Sequence, residues 1–476
     1  MTIDNLSLEF LDIVCNFNPY FATLKGIEKA FMPDYSFKNV NNTIKTLELL
    51  LIKVDKEEES KEKRTLFDSI KALIFFLEHR NLWNSPLYYI EKLYLLVSVC
   101  WSKYDYLKTG NINLNVLNNR LNHLPDYLKQ VIANLTDIKL PKLDCIYAVS
   151  KLEDFKNNFL NVVSNFTNFS HVPINESIEE FKSFLINKKE SSNNFINPIG
   201  KDIVTYLNKE TGLLFDDSKL KKKIENLILE LSKNSTYEYI KNDFKNEVDT
   251  VIKNIFETGQ NLFGGSIAYI NNIAYKENNS NNYDLNYLEY VPSPPLSGNN
   301  EGIFLYTKKF IEKDKYSHNL GIIHEIYPGH HYITQKYREN NIGNLSILLY
   351  ENNAFSEGWA KFCEFIYASK LMEDKQFLSC FNSQMIKVAL LGLVSIKLHI
   401  DKIKYDDVLK EISIKYNLPS DKCKSLLLQA YLFPTDCISN ILGFIFFIDN
   451  YNNENIRNML EEIYINGPLI MKGKEL

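Results

Sequence analysis

Apolar positions recur at helical intervals along most of the chain. One run is Leu66, Ile70, Leu73, Ile74 and Leu77, and a second is Ile224, Leu227, Ile228 and Leu231. Spacings of three and four gather such residues on one face of a helix, the face that a core covers. Residues 441–448 (ILGFIFFI) are apolar on every side. That run is too short to span a bilayer and predicts a buried helix. Only residues 302–309 (GIFLYTKK) predict a strand, through Ile303, Phe304, Leu305 and Tyr306. They follow residues 278–300, rich in Asn, Ser, Pro and Gly, which predict a surface loop. Residues 189–200 predict another loop or a junction. The charge run at residues 55–64 (DKEEESKEKR) predicts a solvated helix end or loop. The pattern gives a mainly α fold with a small sheet beside a cleft. It divides into an N-terminal helical region, residues 1–200, and a second region, residues 201–476, in one continuous helical fold.

Composition narrows the classes. Of 476 residues 45% are hydrophobic, which is a globular and not a disordered make-up. The net charge of −5 comes with no basic concentration, so no nucleic-acid partner is expected. Nor is a membrane partner, since no apolar run reaches spanning length. The seven cysteines are scattered and form no CxxC pair. This predicts neither a disulfide framework nor a thiolate metal site, and hence a reducing, cytoplasmic setting. Residues 1–17 carry acids where a secretion signal carries lysines and predict the first helix of the fold.

Four of the eight histidines fall between His318 and His331, in HNLGIIHEIYPGHHYITQKY. A His-Glu pair followed by another His is the logic of zinc hydrolases: two imidazoles hold the metal and the Glu activates water. The spacing is unusual. In HExxH the second His sits at i+4, but here that position is Pro328. On a regular helix His330, at i+6, lies roughly 240° round from His324. His331, at i+7, is about 20° off its face but roughly 10 Å along. Pro328 and Gly329 permit a π-bulge or kink that swings His330 into register. His330 is therefore favoured as a zinc ligand, with His331 the alternative. A third ligand comes from FSEGWAKFCEF, whose apolar stripe includes Phe355, Trp359, Phe362 and Ile366. Glu357 and Glu364, seven apart, share a helix face. Glu357 is assigned to the metal and Glu364 to holding a ligand histidine. His79, His123 and His171 are read as structural.

HEIYPGHH followed by SEGWAKFCE resembles the bacterial domain-of-unknown-function family eight-eight-five, with its HExxPGHH and EGWAxYxE motifs. The resemblance implies a gluzincin-like helical metallopeptidase. NPYFATLKGI (residues 18–27), the strand segment and YLFPTDCISNILG (residues 431–443) are similar to further family segments. Several positions depart from the pattern. Leu391 and Ser395 stand where Arg and Asp are expected, although His399 is retained. Gln429 and Ala430 stand for Arg and Tyr. Thr435, Asp436 and Cys437 replace Gly-Gln-Ala, and Asn440 replaces a Tyr, while Pro434 and Gly443 remain. The expectation is a zinc peptidase acting on short peptides or amides. His324, His330 (or His331) and Glu357 hold the metal, and Glu325 is the general base. Tyr431, Tyr327 or His399 stabilises the oxyanion, and the strand at 302–309 presents its edge to an extended substrate. The alternatives are a specialised metal-dependent biosynthetic or tailoring enzyme and an inactive binding protein.

Overall fold

The computed structural model describes residues 2–98, 113–165, 167, 169–233, 248–278, 288–295, 301–307, 314–341, 350, 352–450 and 456–476. Cys100, the strand expectation at Lys308 and Lys309, and most of the loop expectation at 278–300 lie outside them. The described chain is mainly helical with one small sheet. It forms two compact units: Met1–Asp202 with Pro294–Gly298 and Leu345–Ile347, and Ile203–Ser293 with Asn299–Asn344 and Leu348–Leu476.

The first unit is helical in its described residues, from Ile3–Phe17 to His171–Ser191. Its helix starts are written locally. Thr2, Ser36, Ser60 and Asn113 each accept a first-turn N–H from their side-chain oxygen. The charge run at 55–64 contains one helix end and the Ser60 cap of the next helix, Lys61–Glu78, which buries Leu66, Ile70 and Leu77. Arg120 is fully buried, and its guanidinium donates to the carbonyls of Pro19, Lys29 and Leu96. These acceptors offset the cost of burying the cation, although its Nε–H finds no hydrogen-bond partner among the described residues.

The second unit carries the candidate chemistry. Its sheet runs in the order β1 (Ile273–Asn278), β3 (Gly302–Thr307), β2 (Leu288–Pro292). β3 pairs parallel to β1 and antiparallel to β2. Its two edges are therefore both taken, which corrects the expectation that this strand offers an edge to substrate. β2, drawn from the stretch read as loop, is an edge strand instead. Four buried residues in succession, Gly302 to Leu305, fit a central strand covered on both faces.

The helix Asn353–Ile366 packs against Pro434–Asn450, which holds the buried ILGFIFFI run. They meet at Gly358 and Gly443. A Cβ on Gly443 would sit 1.7 Å from the Ala354 carbonyl oxygen, and one on Gly358 would sit 2.3 Å from the Gly443 carbonyl carbon. Only glycine permits this approach, because the clash is with backbone and not with a side chain that can turn away. The helix Lys375–Ser395, continued by a π-helical turn to Ile400, is long and apolar enough to cross a membrane. However, 67% of its apolar window is buried inside the fold, as in a core helix.

The Gly443 contact yields a stability prediction. Gly443→Ala forces the Glu357-bearing helix outward and lowers stability by roughly 1–3 kcal/mol, the usual cost of overpacking. Denaturant unfolding measures it, and an unchanged midpoint contradicts the close approach.

Candidate metal centre

The helix Lys315–Glu325 starts at Asp314, whose carboxylate accepts from the N–H groups of Tyr316 and Ser317. It stops after Glu325. Residues 326–329 then double back, and a new helix, His330–Asn340, begins. The interruption is thus a full break, not the π-bulge or kink expected from sequence. Pro328 cannot supply a helix N–H. Gly329 lies so close to the preceding turn that a Cβ would fall 1.8 Å from the His324 carbonyl oxygen. The Gly329 N–H donates to the Ile323 carbonyl at 3.0 Å, closing the reversal. From the other side, the Trp359 indole N–H donates to the Pro328 carbonyl at 2.8 Å.

This reversal places His330 against His324. Their Nε2 atoms are 3.2 Å apart. Glu357, one turn into its own helix, faces both: Oε2 is 3.5 Å from His324 Nε2 and Oε1 is 3.4 Å from His330 Nε2. Each imidazole is held from behind. His324 Nδ1 lies 2.7 Å from Glu364 Oε1, and His330 Nδ1 lies 3.1 Å from the Ser356 hydroxyl. Lys361 Nζ is also 2.7 Å from Glu364 Oε1. Glu364 is 1% exposed, whereas Glu357 keeps 29% of its side chain exposed, so the centre opens towards solvent on the Glu357 side.

The electrostatics favour positive charge at the centre. Burial and the Lys361 ammonium push the His324 imidazolium down, but the hydrogen bonds to Glu357 and Glu364 outweigh them and raise it to about 10. Burial works upward on Glu357, yet the two imidazoles hold its carboxyl well below the ordinary range. A dication can take the place of that shared proton. Zinc bonds of about 2.0–2.1 Å at tetrahedral angles set donor atoms roughly 3.3–3.4 Å apart. The two Nε2 atoms, 3.2 Å apart, fit that spacing, each lies 3.4–3.5 Å from one of the two Glu357 oxygens, and one donor atom from each residue falls within 4.8 Å of the others. The donor set of two imidazoles and a carboxylate suits zinc.

The other expected residues lie elsewhere. His331 leaves the helix start on the opposite side from His330, since neighbours diverge by about 100°. It is 1% exposed, with its ring edge-on to Tyr290 and Nε2 3.2 Å from Gln335 Nε2. Glu325 Oε2 accepts the Tyr290 N–H at 2.9 Å, a donor on the side of β2 that faces away from β3. The Tyr327 hydroxyl donates to the Gly264 carbonyl at 2.6 Å and is committed to the core. His399 and Tyr431 pair with one another: His399 Nε2 donates to the Tyr431 carbonyl at 3.0 Å, and the rings stack. His399 thus has no Nε2–H left for an oxyanion. Sequence reasoning missed Ser356, Lys361 and Tyr290. The first two lie inside the SEGWAKFCE stretch, and Lys361 stands at i−3 from Glu364, a spacing that marks a helical ion pair. Tyr290 was masked by its loop-like surroundings.

No family model and no curated protein matches the chain. Solved structures do share its fold. One, described as "a putative lipoprotein of unknown function from Shewanella oneidensis", superposes with a TM-score of 0.76 at 13% identity, over 99% of this chain and 98% of that one. Another, "the putative lipoprotein from Colwellia psychrerythraea", gives 0.72 at 13% identity, over 98% and 97%. These likenesses establish the fold. They also stand against the cytoplasmic expectation, because both neighbours are described as putative lipoproteins. The cysteine argument had little power: the six described cysteines are buried thiols that pack as small apolar groups.

His399 supplies a pH prediction. Burial lowers its imidazole to about 4, against an upward pull from the Tyr431 carbonyl. Below about 6.5 the unfolded chain takes up a proton that the folded chain refuses until about pH 4. The stabilisation is therefore complete above pH 6.5 and falls as pH drops through that window, by about 3 kcal/mol in all. His399→Gln keeps a donor for the carbonyl and should flatten the stability difference between pH 7 and pH 4.5. Equal slopes in denaturant unfolding of the two proteins refute the assignment.

Proposed function

We propose that the chain is a zinc-dependent hydrolase, peptidase-like in chemistry, acting on peptide or amide bonds of short substrates, and related to the gluzincin-like family its motifs resemble. The observation that carries this reading is the convergence of the His324 and His330 Nε2 atoms on both oxygens of Glu357. Glu325 stands one residue from the first of these ligands.

Zinc bound there supplies Lewis acidity and makes water a competent nucleophile near neutral pH. His324 and His330 hold it through Nε2 and Glu357 through carboxylate oxygen. Glu364 and Ser356 take the N–H of each Nδ1, which fixes the tautomers and turns both Nε2 lone pairs to the centre. Glu325 accepts the proton of the attacking water and delivers it to the leaving amine. The Tyr290 N–H hydrogen bond keeps Glu325 oriented until a substrate arrives. An extended substrate laid along the outer edge of β2 takes the Tyr290 N–H from Glu325 as it pairs with that strand.

One observation favours a specialised substrate over a general peptide. Ser395 stands where the resemblance expects an aspartate, and its hydroxyl bonds inward to the carbonyls of Leu391 and Ala430 at 2.8 and 3.0 Å. Leu391 and Gln429 stand where arginines are expected. Neutral residues at these three positions offer no charge to anchor a charged peptide end.

Protein purified without chelator should contain about one zinc per chain, the stoichiometry of a single four-coordinate site. A chain that stays metal-free after zinc is supplied overturns the proposal. Glu325→Gln should keep zinc and lose about 100- to 10,000-fold in turnover on a substrate drawn from dipeptides, acyl-amino acids and small amides. Glu357→Gln should lose zinc, because a neutral amide is a poorer donor to a dication. Zinc lost in the first variant and kept in the second reverses the two roles.

A further inference from the structure

Resting on the zinc reading above, we infer that Lys361 is a positioning residue that tempers the metal centre through Glu364, weakening the hold on zinc and keeping it electrophilic. The geometry is a linear relay on one helix and its neighbour. Glu364 Oε1 receives two donors, His324 Nδ1 and Lys361 Nζ, each at 2.7 Å. The other oxygen, Oε2, is buried and finds no hydrogen-bond partner among the described residues. Among the described residues nothing else shares the load, so the carboxylate's charge is divided between the imidazole and the ammonium. Lys361 is 18% exposed, so it is fixed at the rim of the buried pair and does not sweep through solvent.

Three effects have the same sign. The ammonium competes with Nδ1–H for one oxygen, so the imidazole receives less electron density and Nε2 is a weaker donor. It also repels a cation placed at Nε2 directly. Finally, it neutralises Glu364 before metal arrives, which removes part of the buried negative charge that metal entry would relieve. A proton competing for Nε2 feels the same field, but a dication feels it twice as strongly, so the net effect on zinc keeps its sign. A structural lysine that only anchored Glu364 would act oppositely, since its removal would loosen His324 and weaken the site.

The test is zinc affinity, measured by competition with a chromophoric chelator on the full-length chain, with helicity checked by circular dichroism. Lys361→Met should bind zinc about tenfold more tightly than the natural protein, within the range of changes that groups behind a ligand produce. Lys361→Arg, which retains the charge, should stay within about threefold. In a Glu364→Gln background, Lys361→Met should change affinity by no more than about threefold, because only the direct repulsion of the cation remains once the carboxylate is gone. Unchanged or weaker binding by Lys361→Met overturns the inference while leaving the zinc reading intact, as does a tenfold effect that persists without Glu364. Absence of zinc uptake by the natural protein removes both.

Discussion

The centre depends on one hydrogen-bonded reversal. His324 and His330 are six residues apart, a spacing that turns them away from each other on any continuous helix. Breaking the helix after Glu325 and restarting it at His330 brings the two Nε2 atoms to 3.2 Å. The break survives because its exposed backbone groups are satisfied. Gly329 N–H returns to Ile323, and the Pro328 carbonyl takes the Trp359 indole N–H. Trp359 belongs to the helix that also presents Glu357, so the same contact that stabilises the turn sets the third donor against the first two. That helix is itself seated by the glycine contact with Pro434–Asn450. Ligand geometry is thereby tied to core packing and not left to flexible loops.

Around this frame the charges are distributed unevenly. Glu357 and Glu364 flank His324 on its two nitrogens, while Lys361 offsets only the second. On the solvent-facing side the partly exposed Glu357 shares its charge with the two imidazoles, and the buried Glu364–Lys361 pair lies behind His324.

Much of this was legible in the sequence because the informative spacings were local. Helical periodicity placed Leu66, Ile70 and Leu77, and Ile224, Ile228 and Leu231, on buried faces. The seven-residue separation of Glu357 and Glu364 placed them on one face. Three things were not legible. The extent of the break at Pro328 depends on a partner, Trp359, 31 residues away, which read only as part of an apolar stripe. The edge strand β2 was hidden because strand pairing is non-local, and its Asn- and Pro-rich flanks carry a loop's composition. The compartment was misread because buried cysteines reflect packing as readily as redox environment.

The departures from the resembled family fall together in space. Ser395 reaches the Ala430 carbonyl, and His399 reaches the Tyr431 carbonyl, so the π-helical turn Ile396–Ile400 and the end of the helix Ser420–Leu432 are joined by neutral hydrogen bonds to adjacent backbone groups. An aspartate at 395 would bring a buried charge to this junction and require a cation there, which is what an arginine at 391 or 429 provides. With Leu391 and Gln429 in those places, the acid could not remain, and a hydroxyl that bonds to a carbonyl is the compatible replacement. Neutral residues at 391, 395 and 429 are thus mutually consistent, and the junction is held by hydrogen bonds to backbone carbonyls and not by buried charge.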